Sequence, residues 1–184
     1  MLKLIVDSTL KESSSEKCDF RYINLIINFI IKFNNFTSLK YIIENNYKSV
    51  ININEKDINE EYPIIKAFYK SDAEIFEYLL SQGGNYKIKN NNGDSLLSMA
   101  IKKKKYNIIQ CLLRQHIDIN EKDINGKYPF IQAIKLNDIK SVQLLMEYGI
   151  DNNIDLDVKN INGSPPLILS YRLKFMDIFY YLLK

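Results

Sequence analysis

Residues 123–151 read DINGKYPFIQAIKLNDIKSVQLLMEYGID. Asp123 begins a turn, because a short polar side chain accepts hydrogen bonds from the backbone that follows it. Gly126 supplies the left-handed conformation such a turn needs. Pro129 suits the first position of a helix, where its missing N–H costs nothing. Phe130, Ile131, Ala133 and Ile134 then fall at helical spacing. A polar break, Leu136-Asn137-Asp138, is followed by a second apolar stripe that includes Val142, Leu145 and Met146. The reading is a turn, a short helix, a tight connection and a second helix.

The same order recurs from Asp57 (DINEEYPIIKAFYKSDAEIFEYLLSQGGN), from Asn90 (NNNGDSLLSMAIKKKKYNIIQCLLRQHID) and from Asn160 (NINGSPPLILSYRLKFMDIFYYLLK), with starts 33, 33 and 37 residues apart. Ala67, Ala100, Ala133 and Ser170 keep that phase, as do Leu79-Leu80, Leu112-Leu113, Leu145-Met146 and Leu182-Leu183. Several anchors agreeing at one period mark a repeat architecture. A degenerate earlier unit fits at a 37-residue step, with Ile30 and Ile42-Ile43 in the anchor places. The expected organisation is a segment 1–19, partly disordered, and an array over 20–184. The array divides into a degenerate first repeat 20–56 and repeats 57–89, 90–122, 123–159 and 160–184. The longer steps put four extra residues after the second helix, near 48–54 and 152–158. Gly83 and Gly149 are expected to end second helices in a left-handed cap, with His116 in that place between them. Glu60 replaces glycine in its turn, which is expected to be the most strained.

Composition removes several classes of function. Lys+Arg is 25 and Asp+Glu 22, a net charge of +3, small for a dedicated nucleic-acid binder. Cys18 and Cys111 cannot form a zinc site, and His116 is the only histidine, so no metal or cofactor is expected. Dinucleotide, phosphate-loop and nucleophile-elbow motifs are absent, and the chain is expected not to be an enzyme. The most apolar stretch, YINLIINFII from Tyr22, is ten residues long, and a spanning helix needs about 20. With no signal-peptide core, the expected compartment is the reducing interior of the cell, cytoplasm or nucleus. Isoleucine, asparagine and lysine number 29, 21 and 22, a bias that fits an AT-rich genome.

A turn and two antiparallel helices per 33 residues resembles the ankyrin repeat. The units carry Tyr62-Pro63-Ile64-Ile65-x-Ala67, Ser95-Leu96-Leu97-Ser98-x-Ala100, Tyr128-Pro129-Phe130-Ile131-x-Ala133 and Pro165-Pro166-Leu167-Ile168-x-Ser170. These stand where that family has Thr-Pro-Leu-His-x-Ala. Threonine and histidine are missing from every unit, and Tyr62 and Tyr128 are expected to pack rather than cap. The resemblance implies an all-α solenoid, a scaffold of stacked helix–turn–helix units joined by β-turn loops. It also implies that a partner protein binds along the concave side, at the turn tips and the first-helix ends. Carried over, the tips are Ile58, Asn59, Glu61, Asn91, Asn92, Asp94, Ile124, Asn125, Lys127, Ile161, Asn162 and Ser164. The helix positions are Tyr69, Lys70, Lys102, Lys103, Lys135, Leu136, Arg172 and Leu173.

Five of those eight helix positions are basic, so an acidic partner is expected. A nucleic acid or anionic surface is the alternative. Ile58, Ile124 and Ile161 are either a binding ridge or an accident of an isoleucine-rich chain. Lys102 to Lys105 reads as a solvated turn, with a basic patch as the alternative. Cys111 reads as a buried inert thiol. At the end, Phe179, Tyr181, Leu182 and Leu183 match the buried stripe of internal repeats. Either the aromatic rings seal that end, or the array continues or pairs with another molecule by self-association.

Overall fold

The computed structural model describes residues 20–44, 51–70, 73–90 and 92–184. The segment 1–19, Cys18 within it, residues 45–50, which include the start of the insertion expected near 48–54, and Asn91 lie outside the described residues. The chain divides into two compact units, Met1–Asn85 and Tyr86–Lys184. Among the described residues it is all-α, with one isolated bridge between Lys89 and Ser95.

The first unit holds α1 (Phe20–Lys32), α2 (Phe36–Glu44), α3 (Pro63–Lys70) and α4 (Ala73–Ser81). Ile23, Ile27, Ile30 and Ile31 of α1 are buried, at the i, i+4, i+7, i+8 spacing that makes one helical face. α1 packs on α3, where Ala67 is fully buried and its small side chain admits the neighbouring helix. Two buried asparagines share the core side of α1. The Asn24 amide donates 2.8 Å bonds to the carbonyls of Asn52 and Glu55. The Asn28 amide donates to the Asp57 carboxylate at 2.8 Å and to the Glu61 carbonyl at 3.1 Å. The helix with the least recognisable repeat sequence is thus tied by side chains to the next turn.

The second unit stacks three helix pairs: α5 (Leu96–Lys102) with α6 (Tyr106–Leu113), α7 (Pro129–Lys135) with α8 (Ile139–Asp151), and α9 (Pro166–Arg172) with α10 (Met176–Leu182). First helices pack on first helices, α5 on α7 and α7 on α9. Second helices pack on second helices, α6 on α8 and α8 on α10. The core lies between these two rows, with Ala100, Ile101, Ile109, Ala133, Ile134, Val142 and Leu145 fully buried. Pro129 and Pro166 begin their helices, and Ser95 caps α5 by accepting from the Ser98 N–H at 3.2 Å.

Polar links supplement the apolar stacking. The Ser98 hydroxyl donates to Gln132 Oε1 at 2.9 Å inside the core. Tyr106 donates to the buried Asp138 carboxylate at 3.0 Å, and Asp138 also accepts from the Ser141 hydroxyl at 2.6 Å. Burial first, and then this bond to Asp138, raise the Tyr106 phenol above its ordinary value. Tyr128 makes no cap bond; Lys122 Nζ sits 4.7 Å from its ring centre, as Lys56 sits 5.5 Å from Tyr62. Both tyrosines therefore pack, each under a cation. Cys111 is buried in α6.

Two features differ from the sequence expectations. Gly149 does not end its helix. α8 continues to Asp151, and Asn153 takes the left-handed conformation at φ 54°. Gly149 is buried instead, and a Cβ there would lie 2.5 Å from Leu156 Cδ1. The glycine serves a close approach, and α8 runs about one helical turn past the place equivalent to the end of α6, stopping before the insertion expected at 152–158. Gly83 and His116 do adopt positive φ, 88° and 51°. Secondly, the connection between paired helices uses a left-handed residue that periodicity did not reveal: Asn34, Lys104, Asn137 and Lys174, at φ 54°, 53°, 48° and 60°. Asparagine tolerates this conformation, whereas lysine pays about 1–2 kcal/mol. Lys104→Gly should therefore raise stability by about 1 kcal/mol, and Lys104→Ala should change it by less than about 0.5 kcal/mol, both measured by urea unfolding.

For α10 the sequence left two outcomes, an end sealed by aromatic rings or a face left open. The only fully buried residue of α10 is Ile178. Phe179, Tyr181 and Leu182 are half-buried and Leu183 is exposed, although the corresponding Val142 and Leu145 of α8 are fully buried. Phe179 touches the rings of Tyr171 and Tyr180, with centroids 5.4 and 5.5 Å apart. That cluster covers the face only in part, because Tyr171 and Tyr180 remain well exposed.

Candidate functional site

Each repeat tip is one hydrogen-bonded turn built on its opening residue. Asp57 Oδ1 accepts from the N–H groups of Asn59 and Glu61 at 2.8 and 3.0 Å. Asp123 Oδ1 accepts from Asn125 and Lys127 at 2.8 and 2.9 Å. Asn90 does the same for Asn92 and Asp94, and Asn160 for Asn162 and Ser164, all at 2.9 Å. In every turn the backbone of the first residue also pairs with the fourth and fifth, as in Asp123 N–H to the Lys127 carbonyl and Gly126 N–H to the Asp123 carbonyl. The fourth place has positive φ throughout: Glu60 60°, Gly93 69°, Gly126 70° and Gly163 75°. Glu60 bears the strain expected of it and makes 3.0 Å ion pairs with Arg21 and Lys56.

The Asp57 carboxyl shows how firmly these turns hold an acceptor. Burial alone would push it up. Hydrogen bonds from Asn28 and from the Glu61 and Asn59 N–H groups, with the nearby Lys66, outweigh burial and hold it below its ordinary 3.8.

Side chains then divide by position along the tip. The second and third residues point outward: Ile58, Asn59, Asn92, Asn125 and Asn162 are exposed, and Ile124 and Ile161 are 69% and 65% exposed. Ile124 leans over its neighbour's glycine, since a Cβ on Gly93 would lie 2.2 Å from Ile124 Cγ2. Glu61 and Lys127 are half-buried. Asp94 and Ser164, expected among the outward tip residues, are each only 6% exposed. Asp94 forms an ion pair with Lys102, and Ser164 accepts from Arg172 Nη1 at 3.1 Å. In these two units the fifth tip residue sits under the long side chain eight positions later, which covers it.

At the first-helix ends, Tyr69, Lys70, Lys102, Lys103, Lys135, Leu136, Arg172 and Leu173 are all exposed. The lysine run at 102–105 is not a uniform patch. Lys102 is engaged by Asp94, Lys104 forms the left-handed turn, and Lys105 is half-buried. Burial, and then the neighbouring Lys103, lower the Lys105 ammonium below its ordinary value. The exposed His116 caps the end of α6. Among the described residues, no three His, Cys, Asp or Glu side chains group as metal ligands, and no helix is long and apolar enough to cross a membrane.

The family model for Ankyrin repeats (3 copies) matches residues 27–123 and 97–184. The chain belongs to the ankyrin-repeat family. Ankyrin repeats are generally protein–protein interaction modules. The chain is similar to alpha-latrotoxin-Lg1a of Latrodectus geometricus, 29% identical over 105 residues that make up 55% of this chain and 8% of the toxin. It is also similar to alpha-latroinsectotoxin-Lt1a of Latrodectus tredecimguttatus, 33% identical over 114 residues, 60% of this chain and 8% of that one. A putative ankyrin repeat protein of Acanthamoeba polyphaga mimivirus is 25% identical over 135 residues, 71% of this chain and 17% of the viral protein. The matched ankyrin segment thus spans from 8% to 17% of the length of these relatives.

Proposed function

We propose that this ankyrin-repeat chain is a non-enzymatic recognition module, and that its partner protein lies across the tips and first-helix ends, the side the family uses as its concave face. The observation that supports this is the sorting of side chains in the second unit. Ile124, Asn125, Ile161 and Asn162 are exposed on turns fixed by repeated hydrogen bonds, and Lys103, Lys135, Leu136 and Leu173 are exposed at the ends of α5, α7 and α9. A pre-ordered surface with apolar and basic members binds with little ordering cost, and its positive charges favour an acidic partner. Reversing Lys70, Lys102, Lys103 and Lys135 to glutamate should weaken capture of an acidic partner at least tenfold. The change should fall mainly in on-rate and salt dependence, with the helical circular dichroism retained. Unchanged capture would place the interface elsewhere.

A further inference from the structure

The three equivalent tip-to-helix pairs of the second unit differ in one respect that bears on specificity. α5, α7 and α9 are each seven residues long, and each follows a turn with the same hydrogen bonds. In the first, Lys102 of α5 reaches back to Asp94, and in the third Arg172 of α9 reaches back to Ser164. The same places in the middle unit are Lys135 and Lys127. The Lys127 backbone is fixed as its equivalents are, donating to Asp123 Oδ1 at 2.9 Å. Where the neighbours place an acid or a hydroxyl under the cation, the middle unit places a second cation. No carboxylate among the described residues pairs with Lys127 or Lys135 within ion-pair distance.

Where Lys102 and Arg172 each have an acceptor eight residues back, Lys135 has a lysine there, so the middle unit offers two cations and no acceptor of its own. We propose that Lys127 and Lys135 form a clamp for one carboxylate of the partner protein, an aspartate or glutamate side chain that takes the part Asp94 plays for Lys102. This rests on the reading that tips and first-helix ends face the partner, and it makes the middle repeat the acid-specific point of that surface. A carboxylate arriving there can accept charge-assisted hydrogen bonds from both lysines. Lys102 offers less, because its attraction is already spent on Asp94. The flanking Ile124 and Leu136 are exposed, so an acidic residue beside an apolar one fits best.

The test uses the full chain and a hexaglutamate peptide at low ionic strength, with affinities from calorimetry. Lys127→Ser, which copies the Ser164 and Arg172 arrangement, and Lys135→Ser should each weaken the peptide at least fivefold. Lys184→Ser, the same charge change on the exposed last residue, should stay within twofold. The double variant should be little worse than either single one, because the clamp acts as a unit. Melting temperatures of all variants control for folding, and Lys127→Ser should melt no lower than wild type. Equal weakening by Lys127→Ser and Lys184→Ser would overturn the clamp. If the quadruple reversal of Lys70, Lys102, Lys103 and Lys135 still abolished binding, the wider surface would survive that result. If no variant weakened the peptide, both would fail. A hexathymidylate bound as tightly, through the same two lysines, would overturn the carboxylate in favour of phosphate.

Discussion

Leu112→Ala should lower stability by about 2–5 kcal/mol, the usual cost of emptying a well-packed leucine site. Leu112 is fully buried in α6, which packs on its own partner α5 and on α8 of the next repeat. The cavity would open between two repeats at once. In a stack where each repeat contacts only its neighbours, such a site weakens both the repeat and its coupling to the next. Lys104→Ala is the matched control, on an exposed turn in the same repeat. Urea unfolding by circular dichroism separates the two, with the Leu112 midpoint far lower. Equal midpoints would mean that the register linking Leu79, Leu112 and Leu145 is wrong.

Asn28→Ala should cost about 1.5–3 kcal/mol, the range for a hydrogen bond to a charged group. It removes the side-chain donor to Asp57 Oδ2 within the core. Asn28 Oδ1 has no hydrogen-bond partner among the described residues, so the variant loses no bond at that atom. The effect should depend on pH in a known direction. The Asp57 carboxyl is held below its ordinary 3.8 despite its burial. Its contribution is therefore complete above about pH 5 and is lost as pH falls through the lowered folded value. Wild-type stability should drop over that acid range, and Asp57→Asn should flatten the drop. An unchanged acid limb in Asp57→Asn would show that the carboxylate carries no such linkage.

Much of this fold was readable in the sequence, for a physical reason. Ala67, Ala100 and Ala133 and the leucine pairs sit at positions that stacking forces to be small or apolar. One requirement repeated at one period is hard to mistake. The left-handed tip residues were readable too, because Gly93, Gly126 and Gly163 are the residues such a turn selects. What stayed hidden depends on contacts rather than on period. Gly149 looks like a helix cap by composition, and only the approach of Leu156 shows that it makes room. Lys104 and Lys174 carry no sequence sign of positive φ. Asn24 and Asn28 left a faint signal, two asparagines four apart on the core side of an apolar helix, but their partners lie 28 or more residues away.

At the proposed recognition surface, the sequence placed Ile124, Ile161, Lys135 and Leu136 where the structure exposes them. It missed that Asp94 and Ser164 turn inward, because a tip position reads as exposed until the cation eight residues on is seen to cover it. For the same reason the basic face is less uniform than a count of lysines suggests, and the contrast between Lys102 and Lys135 emerges only from their neighbours.

Hydrogen exchange on the chain with and without its captured partner would test the proposed recognition surface most directly. The account predicts slowed exchange in the turns at 124–127 and 161–164 and at the ends of α5, α7 and α9, with α6 and α8 unchanged on their outer side. Protection confined to α6, α8 and α10, with the tips exchanging as in the free chain, would contradict it.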